Sequence, residues 1–288
     1  MIDRESFRWP GDRRGAVSLT YDDAMVAHRK VVVPLLEEHA IKATFYVPVY
    51  SDDFMAEPRE YADIAHAHHE IGNHTVNHPC WRDVPSGTDL LADVRGNGWR
   101  NYYYYCEDRL RAEFRVSSFV LSLIDGKTER TFGNTCCCNI MGPSDNTVIF
   151  DYIVPEFFIA ARGSETNTIV DVGNVNYANL GHFSADKRSG RGLTEITQLV
   201  EHAVQQGHWV IFMIHGIGDS DRYDVDRHNT RMGDLIEADV HKKLIGYLSD
   251  NAERIWTAPV AAVAQYLKTF ETPVDSQSAR PERSPSSS

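Results

Sequence analysis

The chain has 288 residues, with 41 acidic and 29 basic side chains and a formal net charge of −12. That length is enough for one large α/β domain, and the negative charge disfavours nucleic acid and anionic membranes as partners, because binding to phosphates needs a basic surface. The hydrophobic fraction of 42% is ordinary for a folded protein. No apolar run reaches the roughly 18 residues that a membrane-spanning helix needs.

Short apolar runs alternate with amphipathic stretches along the chain. Strands are predicted at 16–21, 43–49 and 71–74, with helices at 28–39 and 59–70 between them. Further strands are expected at 157–161, 168–172, 209–215 and 255–260, and further helices at 89–114, 193–206, 233–248 and 260–270. This alternation is typical of a parallel sheet, either open or closed into a barrel.

Residues 1–272 are expected to form one domain, and the Pro/Ser-rich segment 273–288 a disordered tail. The first residues are charged and lack the apolar core of a signal peptide. We therefore expect a cytoplasmic protein, or a secreted or periplasmic one if a leader has been removed. The five cysteines are odd in number, which favours reduced thiols over a disulfide framework. No pattern indicates an oligomeric state.

Polar residues follow three of the predicted strands at the point where each strand ends. They are Asp22 and Asp23, His74 with His78, and His215. The carboxyl ends of parallel strands gather at one face, so these side chains are expected to meet in one cleft. One carboxylate and two neutral imidazoles make an open-sided site for zinc or a similar divalent ion, and the second carboxylate stays free as a base.

The histidine pair imposes a condition on the backbone. On a straight strand His74 and His78 would lie roughly 13 Å apart, too far to share an ion. Pro79 disfavours helical geometry at His78 and thus favours the turn that would bring the two rings together.

Each of these residues also has a purely structural interpretation. Asp22 and Asp23 suit the N-cap and first turn of the following helix. His74 and His78 suit the protein surface, and His215 a position in the core. The agreement of three strand ends favours the metal site over these alternatives.

The segments 20–24 (TYDDA), 74–78 (HTVNH) and 212–216 (FMIHG) resemble, in order and separation, successive motifs of the polysaccharide deacetylases, the NodB-like domain of carbohydrate esterase family four. The segment 255–267 also resembles the closing strand and helix of that domain. The resemblance implies an α/β fold, a distorted (β/α) barrel, that removes acetyl groups from an acetylated carbohydrate, either N-acetylated sugars or acetylated xylan.

The resemblance also implies a role for each matching position. Asp22 becomes the general base, His215 the general acid, and Asp23, His74 and His78 the ligands of a divalent metal. Zinc is favoured, with cobalt, nickel and manganese as alternatives. Asp171 loosely matches an acid that orients the catalytic histidine in this family.

The chain departs from the family at two places. In the first motif, Ala24 stands where the family usually has Gly, and Tyr21 stands where it has Phe before the two acids. The Arg-x-Pro-Tyr-like third motif has no equivalent in 130–136. The arginine that braces the base is therefore unassigned, with Arg162 as one candidate. Two alternatives stay open: a metal-free cyclic-amide hydrolase of the same fold, and a carbohydrate-binding protein that has lost catalysis.

Overall fold

The computed structural model describes residues 2, 7–96, 98–218 and 234–271. The predicted tail 273–288 and the acidic segment 219–226 that follows His215 lie outside the described residues. Within the described part, no helix is long and apolar enough to cross a bilayer.

The structure is a closed barrel of seven parallel strands with helices between them, so the predicted distorted (β/α) barrel is confirmed. The strands in chain order are β1 Gly15–Asp22, β2 Thr44–Val47, β3 Glu70–Asn73, β4 Phe132–Gly133, β5 Ile140–Met141, β6 Val148–Ile149, β7 Ala161–Thr166, β8 Leu180–Ser184, β9 Trp209–Ile214, β10 Gly216–Ile217, β11 Leu235–Ile236 and β12 Ile255–Thr257. The helices are α1 Val33–Glu38, α2 Asp52–Ala56, α3 Pro58–His66, α4 Leu90–Arg95, α5 Glu107–Asp125, α6 Leu193–Gln206, α7 Ala238–Asp250 and α8 Val260–Lys268.

Strand β1 closes the barrel because it pairs on both sides. Its residues from Ala16 to Tyr21 pair with β9, and those from Thr20 to Asp22 pair with β2. The ring runs β1-β2-β3-β4-β7-β8-β9 and returns to β1, while β12 pairs with the first residues of β1. Every residue of β1 is buried, which agrees with the near-continuous apolar run typical of a covered parallel strand.

The apolar core lies between the strands and the surrounding helices. Leu36, Val200 and Leu244 come from three different helices and are fully buried in one cluster with Val17 and Phe45. This packing holds the barrel strands in register, so the loops at their carboxyl ends start from fixed positions.

Most predicted elements agree with the structure to within a few residues. The helix over 193–206 is confirmed with the same bounds, since Glu195 caps the backbone N–H of Gly192 and Gly207 ends the helix at a φ of 72°. The predicted helix 59–70 ends earlier, at His66, because Glu70 already begins β3.

Three predicted elements are wrong. The segment 157–161 precedes strand β7 instead of forming it, and 168–172 contributes only one isolated bridge at Val170. The helix over 89–114 is replaced by α4, two short 3₁₀ turns and then α5. The glycines near 96–98 break the helical pattern. Strand β8 was not predicted, because its short run LGHFS contains Gly and His instead of a continuous apolar sequence.

The cysteines also differ from expectation. Cys80 and Cys136 form a disulfide across 56 residues, whereas Cys106, Cys137 and Cys138 are free thiols. The disulfide ties the loop after β3 to the loop after β4, and both loops border the site described next.

Candidate active site

The barrel brings the predicted site residues together at the carboxyl ends of its strands. Asp22 is the last residue of β1 and Asp23 follows it. His74 directly follows β3, and His215 directly follows β9. The carboxylate of Asp23 lies within 4 Å of an imidazole nitrogen of His74, of His78 and of His215. The carboxylate of Asp22 lies 3.9 Å from Nε2 of His74.

Asp23, His74 and His78 form a compact group that we call the ligand triad. Oδ1 of Asp23 lies 3.0 Å from Nε2 of His78 and 3.5 Å from Nε2 of His74. Four tetrahedral ligands at about 2.05 Å from a zinc ion are separated by roughly 3.3 Å. The two measured separations are close to this value, and all three potential ligand atoms lie within 4.8 Å of one another.

The chain turns between the two histidines, as a shared ion requires. Thr75 and His78 both have positive φ, 65° and 50°, which costs free energy for residues with a Cβ atom. The Thr75 hydroxyl accepts a hydrogen bond from the His78 backbone, and Asn73 accepts one from the Thr75 backbone. The turn brings the two imidazole ring centres to 4.9 Å.

A carbonyl group fixes the orientation of His74. Its Nδ1–H donates a 2.7 Å hydrogen bond to the carbonyl oxygen of Gly133, which directs Nε2 toward Asp23. Burial lowers the pKa of His74, so the imidazole is neutral and Nε2 carries a lone pair. A second partner of this kind is typical of metal-binding histidines.

Asp23 provides the negative charge of the triad. Burial raises the pKa of its carboxyl group, but the two neighbouring imidazoles, His78 above all, hold the pKa well below its usual value. Within the described part of the chain, Oδ1 of Asp23 is buried and accepts no well-formed hydrogen bond. A buried, anionic oxygen without a donor beside two imidazole nitrogens fits a bound cation.

Asp22 is held by an arginine. Both terminal nitrogens of Arg162 donate to the carboxylate of Asp22, at 2.7 and 2.6 Å, and the pair is almost fully buried. Burial raises the pKa of Asp22, but the guanidinium charge outweighs burial and leaves the pKa below its usual value. Asp22 is therefore anionic, as a base must be. The structure thus places Arg162 where the missing third motif left the brace unassigned.

His215 is held by an aspartate that the sequence prediction missed. Asp186 accepts 2.7 Å and 3.0 Å hydrogen bonds from Nδ1–H and the backbone N–H of His215. Burial lowers the pKa of His215, but the hydrogen bond and charge of Asp186 raise it to about 10. Nε2 of the protonated ring lies 3.9 Å from Oδ2 of Asp23. We call Asp22–Arg162 and His215–Asp186 the proton-transfer pairs.

The expectation for Asp171 is corrected. Its carboxylate lies 3.8 Å from Nδ1 of His208 and accepts a hydrogen bond from the Gly173 backbone, whereas Asp186 occupies the position beside His215. Asp186 follows the unpredicted strand β8, so its place at a strand end could not be seen. The sequence feature that could have indicated Asp186 is the segment 180–184, which forms β8 and ends just before this acid.

Tyr46 forms the floor beneath the site, and sequence reasoning missed it as well. Its ring lies 5.0 Å from the Arg162 guanidinium, and its hydroxyl bonds to Thr131. A Cβ atom on Gly72 or Gly133 would come within 2.5 or 2.7 Å of this ring. The two glycines therefore allow the large side chain to fill the barrel beneath His74.

The backbone conformation of Ala24 explains why a glycine usually ends the first motif. Its φ is 56°, in the left-handed region that glycine adopts without strain. The alanine at this position therefore adds strain to the loop.

Comparison with known proteins agrees with this architecture. Residues 11–132, which include the first strand ends and both histidines of the triad, match the family model described as polysaccharide deacetylase. The resemblance to the polysaccharide deacetylases is confirmed.

Solved structures of deacetylases share the fold. A candidate polysaccharide deacetylase from Mycobacterium smegmatis superposes with a TM-score of 0.55 at 14% identity, covering 96% of this chain and 98% of that one. The peptidoglycan N-acetylglucosamine deacetylase Bc1960 superposes with a TM-score of 0.50 at 17% identity, covering 90% and 92%. At these identities the likeness supports the barrel fold.

A curated relative is far longer than this chain. A protein from Bacillus sp, described as a gellan lyase, is 22% identical over 291 residues. The match covers 94% of this chain and 10% of that protein, so the chain spans about a tenth of the relative's length.

Proposed function

We propose that the protein is a metal-dependent hydrolase that removes acetyl groups from an acetylated carbohydrate. The observation that carries the proposal is the position of the ligand triad between two oppositely charged groups, anionic Asp22 and protonated His215. Family and fold support a carbohydrate deacetylase in general, and this arrangement supports the metal-dependent form.

Asp23, His74 and His78 would hold the ion, for which zinc is the favoured element because two imidazoles and one carboxylate are typical zinc ligands. When bound, a divalent ion lowers the pKa of water and polarises the acetyl carbonyl group. The three protein ligands leave coordination positions free, as a catalytic site requires.

The proton-transfer pairs carry out the acid and base steps. Asp22, kept anionic by Arg162, accepts the proton of the attacking water. His215, kept protonated by Asp186, donates the proton from Nε2 to the departing amine or alcohol oxygen. Because the two groups start in opposite protonation states, one can accept a proton while the other gives one.

The structure favours an intact site over the impaired alternative. Without the third motif, the sequence did not assign an arginine to hold the base. Arg162 donates two hydrogen bonds to the carboxylate of Asp22 and so supplies that contact. The convergence of the ligand triad also favours the metal-dependent reaction over metal-free opening of a cyclic amide.

The substrate binds beside His215. A pocket of about 340 Å³ is lined by His215, Asp186, His182, Met213, Asn167 and Arg191, among others. Ten of its eleven lining residues have polar side chains, which suits the hydroxyl and amide groups of an acetylated sugar.

The test is acetate release from acetylated chitooligosaccharides, peptidoglycan and acetylated xylan. We expect release from at least one of them with added zinc, and loss of release after chelation. Asp22→Asn is the matched control, because it keeps the ligand triad but removes the base. Acetate release by this variant at the wild-type rate, or release that chelation does not affect, would contradict the proposal.

A further inference from the structure

A second group of ligand atoms lies at the same end of the barrel, outside the ligand triad. It consists of Cys137, His182 and Met213, which we call the sulfur trio. Sγ of Cys137 is 3.4 Å from Nε2 of His182 and 3.8 Å from Sδ of Met213. The three residues come from the turn after β4, from β8 and from β9. His182 and Met213 line the proposed substrate pocket, but none of the three holds the divalent ion or transfers a proton in the proposed deacetylation.

His182 is a buried imidazole with unused hydrogen-bonding capacity. It is fully buried, and among the described residues its Nδ1 has no hydrogen-bond partner. Nε2, the ring nitrogen that faces Sγ of Cys137, is the atom available to an ion. Burial lowers the pKa of His182 to about 3, so the ring is neutral and one of its nitrogens carries a lone pair.

The donor atoms of the trio are chemically different from those of the ligand triad. Thiolate and thioether sulfur are soft ligands that select Cu(I), whereas carboxylate oxygen suits harder ions. Bond lengths of about 2.0 Å to nitrogen and about 2.3 Å to sulfur separate donors around one three- or four-coordinate ion by roughly 3.5–4.0 Å. The measured 3.4 and 3.8 Å fall close to this range.

An ion can reach the trio from solvent. His182 and Met213 line the same pocket as His215, and the side chain of Cys137 is partly exposed. The site therefore has an entry path, which a metal site needs.

We propose that Cys137, His182 and Met213 form a second metal site, selective for the soft cation Cu(I). Binding replaces the thiol proton of Cys137 with the ion and releases that proton to water, with no change in oxidation state. In the absence of an ion the thiol stays protonated, because burial raises the pKa of Cys137 although Arg162 opposes this. The site shares no residue with the ligand triad or with the proton-transfer pairs, although His182 and Met213 also line the proposed substrate pocket.

The test is an anaerobic titration of the full chain with Cu(I), kept reduced by ascorbate, in competition with a chromophoric Cu(I) chelator. We expect one tightly bound equivalent, with an apparent Kd at least about 100-fold weaker in Cys137→Ser and at least about 10-fold weaker in Met213→Leu. Met213→Leu preserves volume and keeps the test valid if another variant fails to fold. X-ray absorption of the loaded protein should show sulfur and nitrogen ligands.

Two matched controls separate this site from other metal-binding groups. Cys138→Ser removes the neighbouring free thiol and should leave Cu(I) binding unchanged. His74→Ala removes a member of the ligand triad and should also leave it unchanged, so the proposed function can fail while this site stands. Wild-type protein without a tight equivalent would overturn the proposal. Equal affinity in Cys137→Ser, or no effect of Met213→Leu, would overturn it too.

Discussion

The ligand triad and the proton-transfer pairs lie side by side in the barrel but differ in how their charges are satisfied. In the pairs, Asp22 and His215 each have a buried partner of opposite charge at 2.6–2.7 Å. In the triad, Asp23 has a buried oxygen without a hydrogen-bond donor among the described residues, and it faces two imidazole nitrogens. Protein side chains thus neutralise the charges of the proton-transfer pairs, whereas the ligand triad offers its donor atoms to an ion.

This difference predicts separate consequences for changes on the two sides. Changes in the triad should remove the metal and leave the protonation states of the pairs in place. Changes in the pairs should leave the metal bound and alter the proton transfers, the pH dependence or the folding stability.

The largest expected effect follows from removing a triad ligand. In His74→Ala we expect metal content near zero and acetate release reduced to the level of chelated wild-type protein, because two protein ligands hold zinc poorly. Elemental analysis and acetate assays measure both. A variant that keeps one equivalent of metal would show that the ligand set is different.

Removing the base should separate metal binding from turnover. In Asp22→Asn we expect unchanged metal content and a kcat reduced about 10²–10⁴-fold, the usual contribution of a general base. The control is elemental analysis of the same sample. Turnover within a few-fold of wild type would exclude Asp22 as the base.

Removing the brace should affect stability as well as activity. Arg162→Met leaves the carboxylate of Asp22 buried without its partner, and the free energy of unfolding should fall by about 3–5 kcal/mol at neutral pH. Denaturant unfolding measures the loss. Exposed Arg82, whose ion pair with Asp93 lies at the surface, is the matched control, and Arg82→Met should cost less than about 1 kcal/mol. A similar loss of unfolding free energy in the two variants would show that burial does not make the Asp22–Arg162 pair more important for stability.

The smallest expected effect concerns pH. Asp186 raises the pKa of His215, so His215 loses its proton at lower pH in Asp186→Asn. The alkaline limb of the kcat profile should therefore move to lower pH by about 1–3 units, while activity at low pH changes less. An unchanged alkaline limb would show that His215 is not the acid, or that Asp186 does not control it.

The sequence predicted the contiguous parts of this arrangement better than the dispersed ones. The triad and Asp22 lie next to strands with clear apolar runs, so their convergence follows from the geometry of parallel strands. Arg162 is inside β7 and Asp186 follows β8, two strands that the pattern misplaced or missed. Their partners are 140 and 29 residues away in sequence, and local periodicity carries no information about such contacts.

The central claim is that Asp23, His74 and His78 bind one divalent ion. The most direct measurement is anomalous diffraction at the zinc absorption edge from crystals of active, zinc-supplemented protein. We expect a single strong peak about 2.0–2.2 Å from Nε2 of both histidines and from the carboxylate of Asp23. Active crystals without a peak there, or with zinc bound only to other residues, would contradict it.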